Sequence, residues 1–227
     1  MYFDSTMLIL IPGLLLALWA QARNRAAYSK YSKVYAQSGI KAADAASAML
    51  RANGNDVVKV QPVNGTLTDH YDPRNETLGL SKGVYQSTSI AALGIAAHEA
   101  GHAMQKKEGH AMLGLRTAIV PVVNFGSRLS MPIFVLGLIM ALKPLVTVGI
   151  ALFSLTVAFT LITLPVEFDA SRRAIAMLNA GGFITREEEA GVRKVLNAAA
   201  LTYVAAALNA ILQLARLVLL ARGRDRD

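Results

Sequence analysis

Four stretches of this chain are strongly apolar, three of them uncharged over lengths close to a bilayer, and a long polar stretch separates the first from the second. A helix needs roughly 20 apolar residues to cross the hydrocarbon core. The first run, Ser5 to Ala22, contains Met7-Leu8-Ile9-Leu10-Ile11 and Leu14-Leu15-Leu16. Asp4 precedes it, and Arg23, Arg25, Lys30 and Lys33 follow. That is the reverse of the charge order of a secretory signal, so the run reads as an uncleaved anchor with its C-terminal end in the cytoplasm. A second helix is expected from near Thr117 to Leu142, with Arg128 about a turn or more inside it and snorkelling to the interface. Lys143-Pro144 predicts a tight turn, and Leu145 to Val166 is the strongest spanning run. The two form a hairpin with Lys106, Lys107 and Arg116 before it and Arg172 and Arg173 after it, which puts both outer ends in the cytoplasm. The fourth run, Val195 to Ala215, is rich in Ala and carries Asn197, Asn209 and Gln213. Either it spans and leaves the tail Arg222-Gly223-Arg224-Asp225-Arg226 outside, or it lies against the hairpin or in the interface and keeps the tail inside.

The polar stretch, residues 23 to 116, is the only one long enough for a folded aqueous domain. Ile40 to Ala52 predicts a short helix ending near Gly54. Asp56 to Val60 predicts a strand that stops before Pro62. Thr66 to Tyr71 and Thr77 to Leu80 predict two more, joined across Asp72-Pro73-Arg74-Asn75. Ser87-Thr88-Ser89 can cap a helix over Ile90 to Gln105. The fold class that follows is a mainly α-helical integral membrane protein. It has three or four membrane helices and a small cytoplasmic α/β domain carrying a short β-hairpin. The expected division is 1–22 anchor, 23–116 cytoplasmic domain, 117–166 helical hairpin, 167–194 cytoplasmic helix, and 195–227 apolar helix with a basic tail.

Composition sharpens this picture. Of 227 residues, 54% are hydrophobic and 17% charged, against about 25% charged in an average soluble domain. There is no cysteine, which excludes disulfides, Cys-ligated metals and thiol catalysis. The formal charge of +8 could suggest nucleic acid. No run mixes basic and aromatic residues, however, so the excess reads as topological and no nucleic-acid partner is expected.

His98-Glu99-Ala100-Gly101-His102 lies on the helix predicted after Ser89. Residues at i and i+4 share a helix face, so both imidazoles can reach one metal ion. Glu99 points beside that ion and can take a proton from a water that zinc has made acidic. Gly94, Gly101 and nearby alanines leave room for another segment to approach this helix.

A catalytic zinc usually has three protein ligands and an open position. Four residues compete for the third place. Glu108 and His110 follow the motif closely, but the metzincin pattern needs His at 108 and Gly at 105, where this chain has Glu and Gln. His70 sits on a predicted strand. Glu167 has the best physical case, because a carboxylate at the edge of a membrane span is expensive without a partner. Pro165 would start a new helix with Glu167 in its first turn. The bland alternative pairs Glu167 with Arg172 or Arg173.

Several segments taken together resemble the YugP-type zinc metallopeptidases of bacterial membranes. They are Thr66-Leu67-Thr68-Asp69-His70-Tyr71-Asp72-Pro73-Arg74, His98-Glu99-Ala100-Gly101-His102-Ala103, Leu164-Pro165-Val166-Glu167-Phe168-Asp169-Ala170-Ser171 and Ala199-Ala200-Leu201-Thr202-Tyr203-Val204. The resemblance implies a membrane-embedded zinc peptidase with His98 and His102 as ligands and Glu99 as base. A more distant similarity, to gluzincin membrane peptidases with an E-x-x-A-D pattern, puts Glu167 in the third-ligand position. The last place of that pattern is Ser171 here, where a ligand-orienting Asp is usual, and Ser171 is the weaker substitute.

The reading is a Zn2+-dependent endopeptidase of the bacterial inner membrane. His98, His102 and Glu167 hold the metal on the cytoplasmic side, and Glu99 is the catalytic base. His70 is placed with the catalytic residues as an oxyanion donor, in competition with Tyr71, Arg172 and Arg173. The partners are a peptide or protein substrate and the lipid bilayer. The Thr77 to Leu80 strand could be an exposed edge that pairs with an extended substrate. A metal-binding membrane scaffold without hydrolysis is the alternative, and it requires a closed site with four protein ligands. A transporter using Arg128 and Glu167 as intramembrane charges is disfavoured by the absence of an inverted repeat.

Overall fold

The computed structural model describes residues 5–224. Asp4, Asp225 and Arg226, which bear on the topology, lie outside the described residues. A 3-10 segment over Ser5–Leu10 leads into α1 (Ile11–Tyr31). Then follow α2 (Ala42–Ala52), β1 (Lys59–Val63), β2 (His70–Asp72), β3 (Thr77–Ser81), α3 (Lys82–Tyr85) and α4 (Ile90–Lys107). The chain ends in three long helices, α5 (Ala111–Ile139), α6 (Lys143–Ala180) and α7 (Arg186–Arg224). Helices α5 to α7 and the first helical segment, Thr6–Tyr31, are each long and apolar enough to cross a membrane. The protein is thus a mainly helical membrane protein with a small three-stranded sheet.

Two compact units divide the chain. One comprises residues 1–21, 115–164 and 201–227, and the other residues 22–114 and 165–200. The first is built from apolar helix surface held close by small residues. A Cβ on Gly149 would lie 2.8 Å from the backbone nitrogen of Phe134, and one on Gly137 would lie 2.6 Å from that of Val146. Glycine at these points lets α5 and α6 approach to backbone contact, which is how helices gain packing where no hydrophobic effect drives them together. Phe134 and Leu217 are buried here.

The second unit has a core of ordinary aqueous type. Met49 and Leu50 from α2, Leu78 and Leu80 from β3, Leu93, Ala96 and Ala100 from α4, Leu178 from α6, and Val192 and Leu196 from α7 form one buried cluster. Each fully buried Leu contributes about 1.5–3 kcal/mol relative to exposure. The sheet order is β1-β3-β2, with β1 parallel and β2 antiparallel to β3. The expected exposed edge at Thr77 to Leu80 is therefore overturned, because β3 is the central strand. Its residues 78–81 are buried in succession, the pattern of a strand covered on both faces. The edges are β1 and β2. That explains why β1 runs through Pro62 when it was expected to stop short of it, since an edge strand tolerates a missing N–H. Of the expected Thr66 to Tyr71 strand only His70 and Tyr71 pair with β3, and the pairing continues to Asp72.

Helix α4 begins as expected, with Ser89 as N-cap accepting a hydrogen bond from the Ala92 N–H at 3.2 Å. Helix α6 departs from expectation. No new helix starts at Pro165, which lies inside one continuous helix. A proline removes a single N–H donor, and one missing bond does not end a helix of 38 residues. The hairpin turn also moves, because Ala141 takes a positive φ of 55° and Lys143 already opens α6. Arg128 lies well inside α5, eleven residues from Ile139, the nearer end, or about three turns at 3.6 residues per turn.

Inside the second unit α4 and α6 meet at Gly101. A Cβ there would lie 2.7 Å from the Ala170 carbonyl oxygen and 3.2 Å from the Ala170 Cα. Backbone cannot yield as a flexible side chain can, so Gly101→Ala is expected to lower the unfolding free energy by about 1–3 kcal/mol. Gly114→Ala, where a Cβ meets nothing within 4 Å, should leave it unchanged or slightly raised. Denaturant unfolding of the metal-free protein in detergent separates the two.

Candidate metal centre

The close approach at Gly101 brings two ligand-bearing helix faces together. From α4 come His98 and His102, one turn apart, with ring centroids 4.7 Å apart and planes nearly perpendicular at 84°. From α6 comes Glu167, only 2% exposed. One Glu167 oxygen, Oε2, lies 3.2 Å from His98 Nε2 and 3.6 Å from His102 Nε2. One ligand atom from each of the three residues falls within 4.8 Å of the other two.

The opposite edges of the two rings are held as well. Ser171 Oγ lies 3.2 Å from His98 Nδ1, so Ser171 takes the orienting place that the E-x-x-A-D pattern gives to Asp. His102 Nδ1 lies 2.9 Å from Gln105 Oε1. An amide oxygen only accepts, so Nδ1 of His102 carries the hydrogen. On a neutral ring that leaves the Nε2 lone pair facing Glu167. An imidazole lone pair and a carboxylate oxygen repel unless a cation or proton lies between them. Two imidazole nitrogens and a carboxylate oxygen are also donors that zinc takes. The residues present therefore fit the metal, and among the described residues no fourth His, Asp or Glu joins the group. Burial alone would depress the His102 imidazole. The pull of Glu167 and of Glu99 outweighs it and holds the metal-free ring above its ordinary value.

Glu99 follows His98 on α4 and is partly exposed. Among the described residues it makes no hydrogen bond or ion pair, so its carboxylate is available beside the cluster. The competing third ligands are engaged elsewhere. His110 Nε2 faces Asp169 Oδ2 at 3.7 Å, and Glu108 pairs with Arg173 at 2.6 Å. Arg172 and Arg173 both bind Asp169 and not Glu167. His70 is exposed on the edge strand β2, with Nδ1 2.8 Å from the Thr68 carbonyl oxygen.

Tyr71 donates to Glu76, which also accepts from Lys106 at the end of α4. Lys106 and the Tyr71 hydroxyl hold the Glu76 carboxyl below its usual range, while burial and Glu76 push the Tyr71 phenol up. This network ties the β2–β3 hairpin to α4 and occupies the Tyr71 hydroxyl. Asp169 was missed by sequence reasoning as a partner of the site. It is 7% exposed and accepts from Gln105 at 2.9 Å. Its spacing from Glu167 gave no signal, because the link runs through a residue of another helix.

Comparison with known proteins agrees with this geometry. Residues 6–222 match the model of a family described as "Putative neutral zinc metallopeptidase". The chain belongs to this family of zinc metallopeptidases. It is also 49% identical over 218 residues to the "Putative membrane protease YugP" of Bacillus subtilis (strain 168), covering 96% of this chain and 97% of that relative. No solved structure matches it. Zinc is accordingly the cofactor of the family, and a peptidase of the membrane is the class to which the chain is assigned.

One zinc per chain is expected by elemental analysis of the purified peptidase. Glu167→Gln should weaken zinc binding by at least about 100-fold in competition with a chromophoric chelator. His110→Ala, outside the cluster, should keep one zinc per chain.

Proposed function

We propose that the chain is an H-E-x-x-H endopeptidase of the bacterial inner membrane whose site faces the cytoplasm, with His98, His102 and Glu167 as zinc ligands and Glu99 as general base. The observation that carries this is the convergence of three ligand atoms within 4.8 Å beside an unpaired carboxylate. When bound there, zinc lowers the pKa of a coordinated water to about 7 and polarises the scissile carbonyl. Glu99 accepts the proton of the attacking water at its carboxylate and returns it to the leaving amine. Having no other hydrogen bond, that carboxylate has nothing to break before it acts. Glu167 is turned to both imidazoles, so it serves as a ligand and leaves the proton to Glu99.

His70 remains the proposed oxyanion donor, and its geometry sets a condition. With Nδ1–H directed at the Thr68 carbonyl, Nε2 can donate to a developing oxyanion only from a protonated ring. Arg172, mostly exposed even though one of its nitrogens binds Asp169, is the competing donor. A cytoplasmic site is supported by Arg23, Arg25, Lys30 and Lys33 after the first apolar run and by Lys106, Lys107, Arg172 and Arg173 around the hairpin. The scaffold alternative needs a fourth ligand from His70, His110 or Glu108; His110 faces Asp169, Glu108 pairs with Arg173, and His70 Nδ1 faces the Thr68 carbonyl, so the alternative loses support.

Glu99→Gln should retain stoichiometric zinc and lose about 10²–10⁴-fold in turnover of a quenched-fluorescent peptide mixture in detergent. Full activity in the zinc-loaded variant would remove Glu99 from the mechanism. The absence of native cysteine makes sidedness accessible. A single cysteine placed by Lys59→Cys, on the exposed edge strand, should react with an impermeant maleimide in inverted membrane vesicles and not in intact spheroplasts.

A further inference from the structure

We propose that Gln105 is the positioning residue of the metal centre, coupling the buried Asp169 carboxylate to His102. It selects the imidazole nitrogen that faces the metal. This inference rests on the zinc-peptidase reading above.

Gln105 has no exposed surface, yet all of its polar atoms are used. Its Nε2 donates to the Val166 carbonyl oxygen at 2.8 Å and to Asp169 Oδ2 at 2.9 Å. Both partners are pure acceptors, so the NH2 end of the amide must face them and Oε1 must face the other way. There it meets His102 Nδ1 at 2.9 Å. Oε1 has no hydrogen to give, so it imposes the hydrogen on Nδ1 and leaves Nε2 for the metal. Asp169 is in turn held by Arg172 and by Arg173, the latter at 2.6 Å, which keeps the acceptor in place.

The placement of these groups makes the coupling specific. Gln105 stands three residues after His102, on the same face of α4. Its two acceptors, Val166 and Asp169, flank Glu167 on α6. One side chain therefore sets the orientation of a ligand from one helix by gripping the backbone beside a ligand from the other. His98 has no equivalent. Its Nδ1 faces the Ser171 hydroxyl, which can donate or accept and so does not choose between the ring nitrogens. The orienting carboxylate absent at Ser171 is thus supplied by Asp169 at one remove, through an amide, to the other histidine.

The test compares Gln105→Met and Gln105→Glu with the unmodified protein, each measured for zinc affinity by chelator competition and for thermal unfolding without metal. Both variants lose the bonds to Val166 and Asp169, so both should unfold at lower temperature. Gln105→Glu keeps an acceptor for the Nδ1–H and should bind zinc within a few fold of the parent. Gln105→Met removes the acceptor and should bind about 10- to 100-fold more weakly. Equal affinity of Gln105→Met and the parent overturns the proposal. So does an affinity that follows apo stability in both variants, which would make Gln105 a purely structural tie.

A measurement on the unmodified chain covers the case in which neither variant folds. Cadmium-113 in the site should couple to Nε2 of 15N-labelled His102, and coupling through Nδ1 overturns the proposal. If the unmodified chain binds no zinc, the peptidase reading itself falls. Zinc binding with any of the failures above removes only the role of Gln105.

Discussion

A carboxylate buried at 2% exposure with two imidazole nitrogens 3.2 and 3.6 Å from one of its oxygens is the constraint on which the site depends. Ionised groups leave water at a penalty of several kcal/mol unless charge or hydrogen bonds replace the solvent. In this chain the arginines nearest in sequence, Arg172 and Arg173, are drawn to Asp169. Glu167 faces both histidines, and a divalent cation held there would satisfy all three groups at once. The donor set, the burial and the family assignment lead to the same metal.

The rest of the second unit can be understood as what holds two helices close enough for this. Gly101 lies inside the H-E-x-x-H turn, and the Ala170 backbone rests where its side chain would be. Gly94, earlier on the same helix, admits Val192 of α7, at 3.0 Å from where a Cβ would stand. Small residues set the distance, and the buried amide of Gln105 sets the alignment. The far end of α4 is tied by Lys106 to Glu76 and to the Pro73 carbonyl of the hairpin. A ligand geometry fixed at both ends of a helix suits a catalytic ion, whose coordination must not relax between substrate and transition state.

Charge is distributed with equal economy. Asp169 gathers Arg172, Arg173 and Gln105, and Glu108 takes the remaining reach of Arg173. Arg172 and Arg173 thereby have acidic partners other than Glu167 or Glu99. Among the described residues the carboxylate proposed as base has no hydrogen bond or ion pair, and the carboxylate proposed as ligand faces its two imidazoles.

Much of this was readable from local pattern. Apolar run length predicted the membrane helices, Ser89 marked the start of α4, and an i, i+4 pair of histidines is a property of one helix turn. Glu167 could be singled out because a carboxylate at the margin of an apolar run needs a reason. What stayed hidden depended on contacts between segments distant in the chain. Whether Thr77 to Ser81 lies at an edge or in the middle of a sheet is decided by which strands dock beside it, and a parallel partner 18 residues earlier leaves no local mark. A proline favours the first turn of a helix over its interior, and only the placed neighbours show that Pro165 lies inside one. The bond from Gln105 to Asp169 exists only because α4 and α6 touch. Residue type and spacing along one helix determined which groups could bind a metal. Packing between helices decided which groups do meet and which nitrogen each ring presents, because hydrogen-bond partners are assigned by distance in space.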